Sequence, residues 1–388
     1  MKMKRVCIVK LGYFPEIMLL RRDAEALMSN GYQVDIICFR RKGEKAREKI
    51  GKLSVYRIPG EHHRTGILRY LFEYSYFYTM VSLTLSWLSL SRRRYDVVEV
   101  CSMPDFLVFS TVVPRLLGAK VILYLWENMP MLFMSHFKTG RDHIGAKILR
   151  IIERTSAGYA DHVIVTDGIP YKQVLESQGV PSDKITVVLN VPDESTFNIE
   201  AIPSAKDGEK FRLVVVSTLT KRYGIQIVIK AIPLLLRDIP ELMVDVTGRG
   251  EYRPELENLA RDLGVNAYLN FTGMIPYEDV LSCIGKAQVG IAPMIEDVGV
   301  SNKLFEYFAL GTPAVASALP SLTATFDSNC VLYFRPGDEK DLAERILELH
   351  RSPEKRASLA YHGKAFYSKC QWQSMKREYL KVYEESMK

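Results

Sequence analysis

Cysteine is sparse and unpatterned in this chain of 388 residues. Cys7, Cys38, Cys101, Cys283, Cys330 and Cys370 are scattered, with no Cys-x-x-Cys pair and no Cys/His ligand spacing. That argues against a zinc site and reads as reduced, buried thiols in a cytoplasmic protein. The histidines His62, His63, His136, His143, His162, His350 and His362 show no metal-ligand pattern either, and His162, inside a strand-like run, reads as a satisfied core residue. Neither half has a Gly-x-Gly-x-x-Gly turn or a phosphate-loop lysine after its first strand, which argues against a dinucleotide-binding dehydrogenase and a P-loop kinase. No spacing suggests a Ser-His-Asp or Cys-His nucleophile. The N-terminal MKMKRVCIVKLGYF lacks the long apolar region and small-residue cleavage site of a signal peptide. A large excess of one charge is missing too. The net charge of +7 is compatible with an anionic substrate or an anionic membrane surface but is well short of a dedicated nucleic-acid binder.

One long stretch, ILRYLFEYSYFYTMVSLTLSWLSL, residues 67–90, is apolar and aromatic-rich and is followed by Arg92-Arg93-Arg94. Its length permits a membrane span, which Arg69, Glu73 and the many Ser/Thr residues weaken. Two other readings stand beside it: a core helix with an exposed polar face, and an interfacial helix docking on anionic lipid.

What the chain does have is room for two cores, with 47% hydrophobic and 25% charged residues. Strand and helix signals alternate throughout, which predicts α/β architecture with parallel sheets. Strands are expected at residues 5–10, 33–39, 53–58, 97–101, 121–125, 162–166 and 185–189, with helices at 19–30 and 144–160. Residues 198–210, NIEAIPSAKDGEK, are polar and turn-rich and read as a linker. A second series then places strands at 212–216, 243–247, 268–271 and 289–291 and helices at 226–237 and 253–263. From 346 onward the chain is mostly helical. The expectation is two facing Rossmann-like, doubly wound domains with an interdomain cleft: residues 1–200, and residues 201–365. In such sheets ligands bind beyond the carboxyl ends of the strands.

The stretch SNKLFEYFALGTPAVAS, residues 301–317, is the most informative. Ser301 or Asn302 can cap a helix, Gly311 and Pro313 end it, and Ala314-Val315-Ala316 suits a buried parallel strand. Helix-start amides and Lys303 suit a phosphate, while Glu306 suits sugar hydroxyls. That combination suggests a nucleotide-sugar. Lys221 and Arg222, in LTKRYG after the first strand of the second half, suit a diphosphate or form a solvated charge pair. Gly248-Arg249-Gly250 is either a plain turn or a close backbone approach to a ligand. FTGMI, residues 271–275, ends a strand where backbone groups can face a nucleobase.

The succession TLTKRYG, TGRGEYRPELENLA, FTGMIP and SNKLFEYFALGTPAVAS resembles the donor-binding domain of the glycosyltransferase family 4 (group 1) enzymes. In the first half, YFPEIMLLRRDAEALMSNGYQVDIICFR, YDVVEVCSMPDFLVFSTVVPRLLGAKVILYLWENMP, YADHVIVTDG and ITVVLNVPDESTF resemble the same family. The resemblance implies the GT-B fold, with an acceptor-side first domain, a donor-binding second domain, and a C-terminal helix, residues 366–388, packing back on the first. It makes Glu306 the second glutamate of a Glu-x7-Glu motif, binding the donor ribose. The first glutamate position is Val298, so Glu296, Asp297 or the amides of residues 299–301 have to substitute. The family's diphosphate-clamping arginine and lysine positions are Thr218 and Tyr223, which leaves Lys221 or Arg222 for that task, with Arg222 preferred for its planar donors.

Carried onto this chain, the family's catalytic positions imply Glu306, Arg222, Lys221 and Asp297. On the donor side it implies Gly12, Thr218, Gly248, Arg249 and Met274, and then Gly299, Val300, Ser301, Asn302, Lys303 and Glu306. On the acceptor side Trp126 stands where a histidine is common, followed by Glu127 in place of an aspartate.

The implied function is retaining transfer of a hexose-type sugar from a nucleotide-sugar donor to a glycan or lipid-linked glycan, in polysaccharide or glycoconjugate biosynthesis. No cofactor or divalent metal is demanded, no Asp-x-Asp pair being present, and no nucleic-acid partner is expected. The expected location is cytoplasmic, with peripheral contact at the inner membrane face as an extension. The alternatives are a non-catalytic sugar-nucleotide-binding member and a GT-B-shaped nucleotide-sugar epimerase.

Overall fold

The computed structural model describes residues 3–61, 67–91, 94–197, 199–204 and 210–387. Of the expected linker, residues 198 and 205–209 lie outside the described residues, as do His62, His63, Arg92 and Arg93; Ile199–Ala201 is a single 3₁₀ turn. The chain divides into two compact units. Unit 1 comprises Met1–Asn190 and Ser374–Lys388, and unit 2 comprises Val191–Gln373.

Unit 1 holds β1 (Arg5–Tyr13), β2 (Gln33–Arg40), β3 (Arg47–Ile50), β4 (Leu53–Pro59), β5 (Val97–Cys101), β6 (Lys120–Leu125), β7 (His162–Val165) and β8 (Ile185–Val187) in the order β3-β4-β2-β1-β5-β6-β7-β8. The central strands are Val/Ile/Leu runs buried on both faces, as parallel strands between helical layers must be. Sequence reading misses β3, whose residues REKI carry no apolar alternation. It forms because it pairs antiparallel with β4 at the sheet edge, where charged side chains stay in solvent and discourage further pairing. In β7, His162 bonds Thr186 Oγ1 through Nε2 at 2.9 Å, and burial lowers its pKa.

The helix Ile67–Leu90 buries Phe77, Val81, Leu85 and Leu88, a stripe at i, i+4, i+8 and i+11, in the unit 1 core. Its outer side is not the polar face expected of it: Leu71, Phe72, Leu83, Trp87 and Leu90 are exposed there. Among the described residues no helix is long and apolar enough to cross a membrane.

The C-terminal helical run breaks at Gln371 (φ −55°, ψ 161°), which separates the helices Pro353–Cys370 and Trp372–Ser386. The second helix is fastened to unit 1 by tyrosines. Tyr379 donates to Glu99 Oε2 of β5 at 2.9 Å, Tyr383 donates to the same oxygen, and the two hydroxyls lie 3.0 Å apart. Burial, and then repulsion from Asp23, push the Glu99 carboxyl up to about 7 against these bonds. Burial likewise raises Asp23 to about 6, opposed by the ion pair with Arg22 at 3.1 Å.

Unit 2 holds β9 (Phe211–Val216), β10 (Leu242–Thr247), β11 (Leu269–Gly273), β12 (Val289–Ala292), β13 (Ala314–Ser317) and β14 (Val331–Phe334). Their order is β11-β10-β9-β12-β13-β14 and every pairing is parallel. The chain winds outward in both directions from β9 and β12. The crevice beyond the carboxyl ends of these two strands is the topological switch point of the sheet.

Because the folded pKa of Glu99 lies above the ordinary carboxyl value of 4.5, the native state holds an extra proton between that value and about 7, and stability falls as pH rises through this window. Glu99→Gln removes the titration. Its stability relative to wild type, measured by urea unfolding, is therefore expected to improve from pH 5 to pH 8 by of the order of 1–3 kcal/mol. An unchanged difference across that range refutes the assignment.

Candidate functional site

Four loops meet at the carboxyl edge of the unit 2 sheet, and backbone contacts fix them. The β9 loop runs through Ser217 and Thr220 to the 3₁₀ turn Lys221–Tyr223 and Gly224, which opens the helix Ile225–Leu235. The β12 loop lies against it: Ile295 N donates to Arg222 O at 2.9 Å, and a Cβ on Gly224 would sit 1.7 Å from Pro293 O. The β10 loop packs on the other side. Leu219 N donates to Arg249 O at 2.9 Å, and a Cβ on Gly248 would sit 1.9 Å from Ser217 O. Gly224 and Gly248 also have φ of +74° and +136°, conformations that a Cβ disfavours. The β11 loop joins through Gly248 N to Gly273 O at 3.0 Å.

Between the β12 loop and β13 runs the helix Asn302–Leu310, closed by Gly311 in the left-handed region. Leu304, Phe305, Tyr307 and Phe308 bury its inner side. The Tyr307 ring lies flush on Gly290, and its hydroxyl donates to Ile291 O at 3.2 Å, so the helix is pinned to β12. Ser301 occupies the N-cap position, as expected, but makes no side-chain cap bond, so its hydroxyl does not compete for the first-turn amides. Glu306 is only 7% exposed. Its Oε1 accepts from Lys303 Nζ at 2.9 Å, Oε2 is buried with no well-aligned hydrogen bond, and the Tyr277 hydroxyl lies within hydrogen-bonding reach of the carboxylate.

Other unfilled polar groups lie on the β9 side. Arg222 Nε, Thr220 Oγ1 and Gln226 Oε1 are buried without partners. Unmet buried groups of this kind are costly and rare. Arg222 stands over the Tyr223 ring at 5.3 Å. Tyr277 opens the helix Tyr277–Gly285, and its hydroxyl pKa is raised by burial first and then by the Glu306 carboxylate facing it. The sequence reading missed Tyr277, because a tyrosine at a helix start carries no motif.

The remaining expected residues divide clearly. Lys221, Thr218 and Arg249 are exposed on the tied loops, and Met274 is exposed after β11. Gly299 and Val300 are buried just before the helix start, with Asn302 and Lys303 half-buried in its first turn. Asp297 braces its own loop: its carboxylate accepts from Gly299 N at 3.4 Å, from Ser321 N at 3.1 Å and from Ser321 Oγ. Gly12 belongs to unit 1, where a Cβ would meet the Ile17 side chain at 2.5 Å.

Trp126 and Glu127 follow β6 at the carboxyl edge of the unit 1 sheet. Trp126 N donates to Ser102 Oγ at 2.9 Å, Thr166 Oγ1 donates to Trp126 O at 2.7 Å, and the indole Nε1 is buried without a partner. Beneath the ring lies Lys10, its Nζ 4.1 Å from the indole centroid and bonded to Ser102 O. Burial lowers the Lys10 pKa. Asp105 is fully buried with both oxygens unpartnered; burial, then repulsion from Glu153, push it up to about 8, against the pull of Lys10. Neither residue was singled out from sequence. The available signal was a lone charge in each of two apolar stretches, VCIVKLGY and SMPDFLVF. Among the described residues no group of three His, Cys, Asp or Glu is placed to hold a metal ion.

Two family profiles match this chain: "Glycosyl transferases group 1" over residues 197–366 and "Glycosyl transferase 4-like domain" over residues 19–190. A curated relative is the GDP-mannose-dependent monoacylated alpha-(1-6)-phosphatidylinositol monomannoside mannosyltransferase of Corynebacterium glutamicum. It is 26% identical over 155 residues, which span 38% of this chain and 40% of the relative. Two further curated glycosyltransferases are spanned over 64% and 56% of their lengths. Among solved structures, sucrose-phosphate synthase from Thermosynechococcus elongatus aligns at TM-score 0.78 and 16% identity, covering 98% of both chains. Anabaena HepE in complex with UDP-glucose aligns at TM-score 0.72 and 14% identity, covering 98% of this chain and 99% of its own. At these identities the structural likeness establishes the fold.

Gly248→Ala places a Cβ against Ser217 O in a backbone region essentially reserved for glycine. The expected loss is roughly 2–4 kcal/mol in denaturant unfolding, larger than for an alanine at exposed Gly264.

Proposed function

The chain belongs to the group 1, family 4-like glycosyltransferases, and from that premise we propose that it moves a hexose-type sugar from a nucleotide-sugar to a glycan or lipid-linked glycan, with retention at the anomeric carbon. The observation that carries this reading is the buried, unpartnered Glu306 Oε2 inside the first turns of a helix whose N-cap side chain leaves the amides free. A carboxylate there accepts from a vicinal diol, as a ribose offers. The amides of residues 301–303 and the Lys303 ammonium suit the diphosphate next to it. Arg222, with Nε unmet, supplies the planar cation on the β9 side, and Lys221 adds exposed positive charge. Tyr277 serves to orient the Glu306 carboxylate.

In this mechanism the bond from the anomeric carbon to the diphosphate oxygen breaks while the acceptor hydroxyl attacks from the same face. Amides and cations stabilise the charge that gathers on the departing diphosphate. The acceptor proton passes to the leaving phosphate oxygen, so no side-chain general base is required, and attack by the acceptor on the same face needs no nucleophilic side chain. Trp126 and Glu127 form the edge of unit 1 assigned to the acceptor, with Lys10 and Asp105 buried behind them. Support for a nucleotide-sugar donor comes from the UDP-glucose complex of the Anabaena neighbour, and support for a lipid-linked acceptor from the phosphatidylinositol monomannoside named for the Corynebacterium relative. Asp297 is assigned the task of shaping the β12 loop, because its oxygens are taken by Gly299 and Ser321. Transfer is proposed to need no resident metal.

The test is calorimetric titration with a panel of nucleoside diphosphates and sugar nucleotides, followed by donor hydrolysis and transfer assays with and without EDTA. Glu306→Ala is expected to weaken the preferred donor about ten- to a hundred-fold, and Arg222→Ala to lower both affinity and turnover. Wild-type affinity in both variants places the donor elsewhere. Binding without turnover on any acceptor favours a non-catalytic sugar-nucleotide binder, and epimer formation favours an epimerase.

A further inference from the structure

We propose that Tyr367 and Glu194 are positioning residues for the donor: Tyr367 holds the Glu194 carboxylate, which leaves the Tyr277 hydroxyl to Glu306 and so orders the acid assigned to the ribose. The proposal rests on the donor reading above and adds to it two residues far from Glu306 in the chain.

All of these groups belong to unit 2, which the chain enters at Val191 and leaves after Gln373. The incoming segment forms the 3₁₀ turn Glu194–Thr196. The outgoing helix Pro353–Cys370 packs on the helix Asn302–Leu310, which carries Glu306. A Cβ on Gly363 would meet the Phe308 ring at 2.6 Å, and the Phe366 ring lies edge-on to Phe308 at 6.0 Å. Tyr367, the next residue and only 5% exposed, joins this helix to the incoming segment. Its hydroxyl donates to Glu194 Oε1 and stands 3.3 Å from Pro192 O. Phe197, just past the turn, packs edge-on against the Tyr277 ring with centroids 6.1 Å apart.

The Tyr277 hydroxyl has one proton and three acids around it. Burial raises its pKa, and the carboxylates of Glu306, Glu194 and Asp193 raise it further, in that order, so the phenol stays protonated and donates. Asp193 is spent on its own turn, where Oδ1 accepts from Ser195 N at 3.0 Å and from Ser195 Oγ at 2.6 Å. Glu194 is held by Tyr367. Glu306, with Lys303 on Oε1 and Tyr277 within reach, is the acid left to take the proton. Removing the Tyr367 hydroxyl frees Glu194 to compete for it, and Glu306 then loses the donor that orients it. Removing both Tyr367 hydroxyl and Glu194 carboxylate takes away the competitor as well, and loss of both partners of a hydrogen bond is far less damaging than loss of one.

Calorimetric titration of the full chain with ADP, CDP, GDP and UDP identifies the nucleoside diphosphate that binds most tightly. Its 2′,3′-dideoxy analogue, which has no diol for Glu306, then serves as the second probe. Wild type is expected to bind the analogue at least ten-fold more weakly. Tyr367→Phe is expected to weaken the parent nucleotide about five- to fifteen-fold and the analogue less than about two-fold, with a thermal melt close to wild type. The double variant Tyr367→Phe/Glu194→Ala should recover parent affinity to within about three-fold of wild type. In a Tyr277→Phe background, Tyr367→Phe should have no further effect. The proposal is overturned if Tyr367→Phe keeps wild-type affinity, if it weakens parent and analogue equally, as a merely structural role would, or if the double variant is no better than Tyr367→Phe. Any of these in a wild type that still discriminates the diol leaves the donor reading standing. A wild type that binds no nucleoside diphosphate, or binds parent and analogue alike, overturns both.

Discussion

Backbone-to-backbone approach at the carboxyl edge of the unit 2 sheet is the constraint on which the candidate site depends. Three carbonyl oxygens, those of Ser217, Leu219 and Pro293, occupy the places where Gly248, Gly250 and Gly224 would carry a Cβ. Because these contacts involve main chain, no rotamer change can relieve a substitution. The loops after β9, β10 and β12 are therefore held close together, and the polar groups they carry keep fixed places. Arg222 and the first turn of the Asn302–Leu310 helix are consequences of that packing.

Buried polar groups are met in some places and left unmet in others, and Asp105 of unit 1 belongs with the unmet ones. In unit 1, Glu99 is enclosed and met by two tyrosine hydroxyls, an arrangement that fastens the C-terminal helix. Hydrogen bonds to a charged acceptor are worth about 1.5–3 kcal/mol each, which offsets part of the cost of burying the carboxylate. In unit 2, Glu306 Oε2 and Arg222 Nε are buried and unmet at the end of the sheet where doubly wound folds bind ligands. Stability alone gives no reason to leave such groups without partners. A ligand with hydroxyls and phosphates would meet them.

Much of the fold was legible because parallel strands buried on both faces are short, β-branched runs, and helices between them end at glycines such as Gly311. The site was legible where chemistry and chain position coincide, as in the 301–317 stretch. It was less legible where side chains act from a distance. Lys10, Asp105 and Tyr277 reach their places through strand order and helix packing, which leave no local motif. The edge strand Arg47–Ile50 was missed for a related reason: its pairing with β4 is made by backbone, and its side chains are those of a solvent loop.

Sequence by itself determined the class of the protein: two parallel α/β series, a carboxylate-bearing helix closed by Gly311, and an order of motifs that marks the group 1 glycosyltransferases. Those features are local in the chain or periodic along it, so they can be read without coordinates. Tertiary structure decided which of the candidate groups are spent and which are free. Asp297 is consumed by its own loop, Ser301 leaves the helix amides open, and Glu306 retains an unpartnered oxygen. Hydrogen bonding between residues distant in the chain, and desolvation by everything packed around them, set those outcomes, and neither is encoded at any single position.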